Sequence, residues 1–304
     1  MHEFNQEILK KLYVPPAHSH KGQNGKLLLI GGSHLFHAAS LWSLQIASKL
    51  VDMVFYASVP ENNEIVREAK GEFRNGIVIS RENIEDYVKE ADVVLIGPGM
   101  VREDEVSSSK YQVVSIEQIN EIKNEGEQTY HLTKYLLQKY PEKKWVIDGG
   151  ALQMCDPEWL GDLSDVIITP HGREFERLKL KSQNVKVKSA IQNSKVEEQV
   201  EVFAKEYGCT VLLKGEYDMV SDRMQTLKIT GGNAGMTKGG TGDVLAGLVA
   251  ALFAKNEAFL AASSGSYINK KAGEYLFEKV GYGFNSSDLV EAIPVVMKEL
   301  VWSE

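Results

Sequence analysis

The chain has 304 residues, of which 43% are hydrophobic and 25% charged, and its formal net charge is −8 at pH 7. This composition is typical of a globular protein with a substantial core, and no apolar run reaches the roughly 18 residues that a membrane helix needs. The acidic balance argues against nonspecific binding to nucleic acid or anionic lipid, because both attract basic surfaces. A phosphorylated small molecule stays possible, since backbone amides and one or two lysines can hold it locally.

The amino terminus and the cysteines indicate a cytoplasmic protein. Residues 1–16 are mixed polar and amphipathic, and they lack the apolar region and the cleavage site of a secretory signal. Cys155 and Cys209 have no CxxC spacing, so we expect neither a disulfide framework nor a zinc site. Both are predicted to be ordinary buried thiols.

Six short apolar runs recur along the first 215 residues, and most of them end in glycine or proline. Continuous apolar runs are typical of strands that are buried on both faces, as in a parallel sheet covered by helices. Helical patterns lie between the runs, for example over 35–50 and 195–208. The alternation predicts an α/β protein with three αβα layers and a doubly wound, mostly parallel sheet. The predicted strands lie within 26–32, 53–59, 92–97, 144–150, 165–170 and 210–215, and the run QTLKIT (225–230) predicts one more strand.

These strands end in short motifs that contain glycine, proline, histidine or lysine, namely IGG, IGPG, IDGG, ITPH and LLKG. Ligands of doubly wound sheets bind beyond the carboxyl ends of the strands. We therefore expect the functional site at this edge.

The stretch 101–128 does not follow the alternation of strand and helix, because it is polar, charged and weakly periodic. It is predicted to be a polar insertion, either a loop or a short helix, and a solvated segment, a lid or an oligomer contact would each fit it. We found no internal repeat and no linker-like change of composition. The whole chain, 1–304, is therefore predicted to form one nucleotide-binding domain.

A glycine-dense loop near the carboxyl terminus carries the clearest chemical signal. The run from Gly239 through Gly240, Thr241 and Gly242 to Asp243 leads directly into an apolar helix. Glycines let backbone amides converge, and the helix adds the positive end of its dipole, so this loop predicts an anion site. Asp243 is placed to accept a proton from a hydroxyl that attacks phosphorus, although it could instead cap the helix. The loop is not a P-loop, because no GxxxxGK[ST] motif occurs.

The run TGGNAGMTKGGTGDVLAGLVAAL (230–252) resembles the signature of ribokinase-like enzymes, and most closely that of the NAD(P)H-hydrate dehydratases. Three other segments resemble the same family in the same order. Residues 26–33 are similar to its first strand and turn, 97–99 to its GPG loop, and 168–178 to its TPH-x-x-E segment. The resemblance spans 20–300, and it implies a ribokinase-like fold and a cytoplasmic metabolite-repair enzyme.

The resemblance also implies a reaction. The terminal phosphoryl group of ADP or ATP, with ADP favoured, would be transferred to the 6-hydroxyl of hydrated NADH or NADPH. Phosphate would then leave and restore the double bond. Asp243 would deprotonate the hydroxyl, and the amides of Gly240, Thr241 and Gly242 would hold the developing charge. Mg²⁺ would arrive with the nucleotide, because no dedicated cluster of metal ligands is visible in the sequence.

Two sets of binding residues follow from the resemblance, and several of them keep a structural alternative. His171 could instead satisfy a backbone group at a strand end, and Asn233 could hold a left-handed turn. Glu174 could orient His171, help to hold a magnesium-bound water, or be an ordinary first-turn acid. The implied hydrate-binding residues are Ala38, Gly99, His171, Asn233 and Asp243, and the implied nucleotide-binding residues are Lys214, Gly215, Glu216, Tyr217, Asp218 and Gly242.

Relatives with this signature commonly form homotetramers, so a homo-oligomer is expected. Many relatives carry an epimerase domain ahead of this region, and here we expect the epimerase to be a separate protein. Two alternative functions remain open. One is a kinase of the same fold that acts on a sugar, a hydroxymethylpyrimidine or a thiazole alcohol. The other is a noncatalytic nucleotide sensor, against which the retained Asp243 argues.

Overall fold

The computed structural model describes residues 2–69, 74–103 and 115–302. Within them, ten strands form one sheet: β1 (His2–Glu3), β2 (Lys26–Ile30), β3 (Met53–Ala57), β4 (Ile77–Ile79), β5 (Val93–Ile96), β6 (Lys144–Ile147), β7 (Asp165–Ile168), β8 (Thr210–Leu213), β9 (Asp218–Ser221) and β10 (Thr226–Ile229). Their order across the sheet is β1-β10-β9-β8-β7-β6-β5-β2-β3-β4.

The described helices alternate with these strands and then follow them at the carboxyl terminus. They are α1 (His37–Ala47), α2 (Pro60–Ala69), α3 (Ile84–Glu90), α4 (Ile116–Asn120), α5 (Glu125–Lys139), α6 (Gly149–Met154), α7 (Gly172–Lys181), α8 (Val185–Asn193), α9 (Val196–Tyr207), α10 (Thr241–Phe253), α11 (Ala258–Val280) and α12 (Ser286–Leu300). None of the helices in the described ranges is long and apolar enough to cross a membrane.

The predicted mostly parallel α/β sheet is confirmed. Only β9 runs antiparallel to its neighbours, β8 and β10, and every other pairing is parallel. All six predicted apolar runs form strands. The sequence analysis missed β1, β4 and β9, which have two to four residues each. β1 and β4 lack the length over which a periodic pattern can be recognised. β9 is as long as several of the predicted strands, but its sequence, DMVS, is half polar.

The continuous apolar runs form a three-layer structure because the pleat sends alternate residues to opposite faces. Leu27 and Leu29 of β2 enter the core that the sheet shares with α1, α10, α11 and α12. Leu28 and Ile30 enter the opposite core, which includes residues of α3, α5, α7 and α9. Both faces of the central strands are therefore covered.

The strand order reverses between β2 and β5, because the chain proceeds from β2 to β3 on one side and from β5 to β6 on the other. Such a switch point leaves a crevice at the carboxyl edge of the sheet, since the loops after the two strands turn to opposite faces. The loops that follow Ile30 and Ile96 flank this crevice.

The predicted polar insertion over 101–128 has a different character where the structure describes it. Residues 104–114 lie outside the described residues. Residues 115–128 contain α4 and the start of α5, and Ile116 and Ile119 of α4 are buried in the core on that face. This part belongs to a helical layer of the fold, because two isoleucines one turn apart form an apolar face that the sequence analysis did not recognise.

Candidate active site

A cavity of about 860 Å³ opens at the carboxyl edge of the sheet, next to the start of α10. A cavity of this size can hold a nucleotide-sized ligand. The structure thus brings the predicted nucleotide segment, Lys214 to Asp218, to the glycine-rich loop. The residues that line the cavity include Lys214, Gly215, Glu216, Tyr217, Asp218, Asn233, Thr241, Gly242, Asn269 and Lys270.

Helix α10 begins at this cavity with a left-handed glycine. Gly240 is the N-cap, with φ 95°, and no side chain caps the helix. The amides of Gly240 and Gly242 donate to no acceptor within the described residues. Unsatisfied amides at a helix start attract an anion, because their dipoles and that of the helix point the same way.

Thr241 corrects one part of the prediction, which counted its amide among the donors to the transferred group. The Thr241 N–H donates to the carbonyl of Lys238 at 3.4 Å. The Thr241 hydroxyl donates to the carbonyls of Met236 at 2.7 Å and Lys238 at 3.0 Å. Thr241 therefore fastens the loop to the helix, and the amides of Gly240 and Gly242 are the ones left available.

Asp243 occupies the third position of α10 and is half-buried. Its carboxylate accepts a hydrogen bond from its own backbone amide, so a contribution to the helix start stays open beside the role of a base. Burial, followed by the negative charge of Asp148, raises the pKa of Asp243 to about 7, while the Lys214 ammonium and this hydrogen bond oppose the rise. A carboxyl group with this pKa exchanges protons readily near neutral pH, which general base catalysis requires.

Lys214 follows β8 and forms an ion pair with Asp148, at 2.9 Å between its Nζ and Oδ1 of the carboxylate. The ammonium also lies near Gly242, because a methyl group on that residue would be 3.4 Å from Nζ. Burial disfavours the charged lysine, but the carboxylates of Asp148, Glu174 and Asp243 outweigh it and raise the pKa of Lys214. A permanent positive charge thus lies at the rim of the cavity, beside the start of α10.

The nucleotide segment forms a tight turn that leads into β9. Asp218 accepts hydrogen bonds from the Gly215 amide at 3.0 Å and the Ser266 hydroxyl at 2.7 Å. It also pairs with Lys270 at 3.3 Å. Asp218 is therefore occupied in shaping the turn, whereas the backbone of Gly215 and the side chain of Glu216 face the cavity.

The Tyr217 ring gives the cavity an aromatic rim. Its hydroxyl donates to Oε1 of Glu197 at 3.1 Å, and Nζ of Lys228 lies 4.7 Å from the centre of the ring. These contacts fix the ring at one side of the opening, where a flat base could stack on it.

His171 caps α7, so it satisfies backbone amides at the start of a helix rather than a group at a strand end, and the cap defines what the ring can do. Its Nδ1 accepts from the amides of Arg173 at 3.1 Å and Glu174 at 3.3 Å. The Glu174 carboxylate accepts the His171 amide at 2.9 Å, which completes a capping box. Because Nδ1 is an acceptor, the proton of the neutral ring is on Nε2. The ring is 52% exposed, so this N–H can reach a ligand.

Glu174 is buried and has a neighbour besides His171. Gln153 donates to its Oε1 at 2.9 Å. Both oxygens of Glu174 are therefore engaged, which favours an orienting role for Glu174 over a role in holding a magnesium-bound water.

Gly99 and the loop after β2 meet at the switch-point crevice. Gly99 has φ 71°, and a methyl group there would come within 2.8 Å of the Phe36 carbonyl and 3.0 Å of Cβ of Ala39. Only glycine fits this approach. Ala38, the residue that the resemblance implies, is exposed, and Ala39 is the one that lies against Gly99.

Asn233 does not have the left-handed backbone that was the alternative explanation for this residue. Its backbone is extended, with φ −160°, so it does not hold a left-handed turn. Its Oδ1 accepts the Gly235 amide at 2.9 Å, and its Nδ2 donates to the carbonyl of Gly273 at 2.7 Å. Asn233 lines the cavity but uses its polar atoms to tie the loop to α11.

Two cavity-side residues were missed by sequence reasoning. Asp148 stands in IDGG, one of the strand-end motifs that predicted the site, but nothing in that motif singles out the carboxylate. Asn269, on α11, is 5% exposed, and its amide oxygen has no partner among the described residues. No pattern in the sequence distinguishes Asn269 from the helix around it. Within the same described residues, no group of three or more His, Cys, Asp or Glu side chains could hold a metal ion.

The family model of the NAD(P)H-hydrate dehydratases matches residues 27–295. The chain belongs to this family. The ADP-dependent (S)-NAD(P)H-hydrate dehydratase of Nitrosopumilus maritimus is 35% identical over 95% of both chains. The bifunctional NAD(P)H-hydrate repair enzyme Nnr of Methanocaldococcus jannaschii is 36% identical over 95% of this chain. This chain spans 51% of the length of that bifunctional relative.

Solved structures of the NAD(P)H-hydrate dehydratase family and its superfamily confirm the ribokinase-like fold. A ribokinase-like superfamily protein from Enterococcus faecalis has a TM-score of 0.77, 22% identity, and coverage of 99% of this chain and 97% of its own. The ADP/ATP-dependent NAD(P)H-hydrate dehydratase of Bacillus subtilis, co-crystallised with ATP and Mg²⁺, has a TM-score of 0.72 and 19% identity over 98% of both chains.

Proposed function

We propose that this protein is a nucleotide-dependent dehydratase that regenerates NADH or NADPH from their hydrates. The observation that carries the proposal is the position of Asp243, a carboxyl group with a pKa of about 7 in the first turn of a helix that begins beside a nucleotide-sized cavity. The amide of Gly240 at the helix start and that of Gly242, which lines the cavity, are free within the described residues. This arrangement supplies a base and an anion site within one helical turn.

In the proposed reaction Asp243 accepts the proton of the 6-hydroxyl of the hydrate as the oxygen attacks the terminal phosphorus of the nucleotide. The bond from that phosphorus to the bridging oxygen breaks, and the shortened nucleotide leaves. The lone pair of the ring nitrogen then expels phosphate to give an iminium ion, and loss of a proton from the neighbouring ring carbon to phosphate or water restores the double bond. Phosphorylation is useful because hydroxide is a poor leaving group and phosphate is a good one.

The charge that develops on the transferred phosphoryl group is met by groups that are already in place. The amides of Gly240 and Gly242 and the Lys214 ammonium all lie at the start of α10. Preorganised donors stabilise a transition state without a cost of reorganisation at the moment of reaction. We assign the terminal phosphoryl group of the nucleotide to this position, and the rest of the nucleotide to the cavity beside Gly215 and Glu216.

We assign the hydrate to the crevice between the loops after β2 and β5. Gly99 permits close approach there, and Ala38 and Ala39 offer small side chains. The Nε2–H of His171 serves as a donor to an acceptor oxygen of the hydrate, because Nδ1 is occupied by the cap.

ADP as the favoured phosphoryl donor is part of the proposal, supported by the name of the relative from Nitrosopumilus maritimus. Mg²⁺ is also part of it, since phosphoryl transfer needs charge neutralisation at the phosphates. The described residues do not offer a dedicated ligand set, so the ion would have to reach the site bound to the nucleotide, and no step above is routed through it. A homo-oligomer, a cytoplasmic location and a separate epimerase also remain proposals.

The test is incubation of chemically hydrated NADH with ADP or ATP, followed by the absorbance of the reduced nicotinamide and by release of the shortened nucleotide. We expect recovery of NADH with the unaltered protein and a loss of kcat of about 10²- to 10⁴-fold with Asp243→Asn, the range for removal of a general base. Asp86→Asn makes the same chemical change on the exposed face of α3 and should leave the rate unchanged.

The other outcomes identify the alternatives. A stable phosphoester without NADH would make the protein a small-molecule kinase. Nucleotide binding without turnover of any kind would make it a sensor, and equal rates for Asp243→Asn and the unaltered protein would remove Asp243 as the base.

A further inference from the structure

The polar residues that follow three neighbouring strands lie together near Asp243. Asp148 follows β6, Thr169 follows β7 and Lys214 follows β8. Oδ1 of Asp148 accepts from the Thr169 hydroxyl at 2.6 Å and from Nζ of Lys214 at 2.9 Å. Asp148 is only 3% exposed, so the pair is held inside the protein rather than in solvent.

A buried carboxylate is expensive unless other groups compensate its charge. The hydroxyl of Thr169 and the ammonium of Lys214 provide this compensation. The pair would be purely structural if it lay elsewhere, but Lys214 also lines the cavity, and its Nζ lies near Gly242, the residue before Asp243, because a methyl group on Gly242 would be 3.4 Å from Nζ. Asp148 therefore acts on the reaction site through Lys214 as well as by its own charge.

We propose that Asp148 is a positioning residue, which holds the Lys214 ammonium against the start of α10 and thereby governs the charge around Asp243. The proposal rests on the proposed role of Asp243 as the base. Asp148 competes with Asp243 for the same ammonium. Without this competition Lys214 would pair directly with Asp243, and the proposed base would be held in its ionised form, too weakly basic to take a proton from a hydroxyl.

The charged groups that face Asp243 come from three elements. Asp148 lies at the end of β6 and Glu174 lies on α7, and both raise the pKa of Asp243 by repulsion. Lys214 at the end of β8 lowers it. Helix α1 contributes the uncharged Ser43, whose hydroxyl donates to the Asp243 carbonyl at 2.6 Å. On α11, Lys270 is engaged by Asp218.

Because Asp148 raises the pKa of Asp243 and Lys214 lowers it, substitutions of these two residues should have opposite effects. Asp148→Asn removes the repulsion and frees Lys214, so the acid limb of the kcat profile should move to lower pH by about one unit. At a pH below the midpoint of this limb, the fraction of enzyme in the active, ionised form would then be about tenfold larger than in the unaltered protein. Lys214→Met removes the attraction, so the limb should move to higher pH, together with a lower plateau because a phosphate contact is also lost.

Thr169→Val is the matched control, because it removes a hydrogen bond from the same carboxylate oxygen and leaves every charge in place. A merely structural Asp148 would make Asp148→Asn behave like Thr169→Val, with a lower plateau, reduced thermal stability and an unmoved limb. Such a result overturns the proposal, and so does a shift of both charge variants in the same direction.

A second readout does not depend on turnover. The carboxyl resonance of Asp243 can be followed by ¹³C NMR as the pH is varied and assigned by its loss in Asp243→Asn. A lower titration midpoint in Asp148→Asn supports the proposal even when the unaltered protein does not regenerate NADH, a result that would refute only the proposed function. An unchanged midpoint refutes the role of Asp148. If Asp148→Asn does not fold, Lys214→Met decides the proposal. The titration midpoint of Asp243 should then be higher in Lys214→Met than in Thr169→Val.

Discussion

Gly240 lies so close to the indole ring of Trp42 that a methyl group on Gly240 would overlap ring atoms, and it would also come within 2.6 Å of the Ser286 hydroxyl oxygen. Gly240 has φ 95°, a conformation that residues with a side chain rarely adopt. The start of α10 is therefore fixed by packing against α1 and α12 as well as by the loop that precedes it.

Gly240→Ala should lower the free energy of unfolding by about 2 kcal/mol or more, because both the backbone conformation and the Trp42 contact must change. Gly239→Ala is the control, since its φ is not positive and a methyl group there meets nothing within 4 Å. Urea unfolding of the two variants at equal m-value measures the difference. Equal stabilities would show that the Trp42 contact does not constrain the loop.

Asp243→Asn should stabilise the protein at pH 8 but not at pH 4. The pKa of Asp243 rises from 3.8 to about 7 on folding. The folded state therefore binds the proton more tightly, and stability falls as pH rises between these two values. Asparagine removes this penalty, so we expect a gain of roughly 1 to 3 kcal/mol at pH 8. Thermal unfolding across pH checks the expectation, which fails if the gain is the same at both pH values.

His171 can be divided into its two roles by two substitutions. His171→Asn keeps an N-cap acceptor for α7 but removes the Nε2–H, so KM for the hydrate should rise while the melting temperature is retained. His171→Ala removes both, and it should also cost about 1 kcal/mol of stability. Steady-state kinetics and calorimetry on the pair distinguish the roles. If His171→Asn leaves KM unchanged, the histidine is a helix cap and nothing more.

Asp218 and Lys270 should show strong coupling, because they form a buried pair beside the nucleotide turn. Asp218→Asn or Lys270→Met alone leaves one uncompensated charge and should cost about 3 to 5 kcal/mol. The double variant should be less destabilised than the sum of the two single changes. Denaturant unfolding gives the coupling energy, and titration calorimetry with ADP should show weaker binding wherever the Gly215 turn loses its Asp218 acceptor. Simple additivity would mean that the pair is not a unit.

Most of the sheet could be predicted from the sequence, since each central strand is a local apolar run with a glycine or proline after it. The missed strands are β1 and β4, which are too short for periodicity, and β9, which is half polar. They form because neighbouring strands offer hydrogen-bonding partners. A short helix was one of the two alternatives for 101–128, but the burial of α4 in the core was not predicted. The buried face of α4 rests on a few isoleucines within a charged segment, and only their contacts with the core reveal it.

The glycine loop with Asp243 in the first turn of its helix was determined by the sequence itself, because glycine conformation and helix polarity are local properties. The tertiary structure alone decided which amides are free, that Ala39 rather than Ala38 meets Gly99, and that Asp148 compensates Lys214. Asp148 and Lys214 are 66 residues apart, and they meet because β6, β7 and β8 lie side by side. Strand order is set by the packing of the whole sheet, and that information is not contained in any single segment.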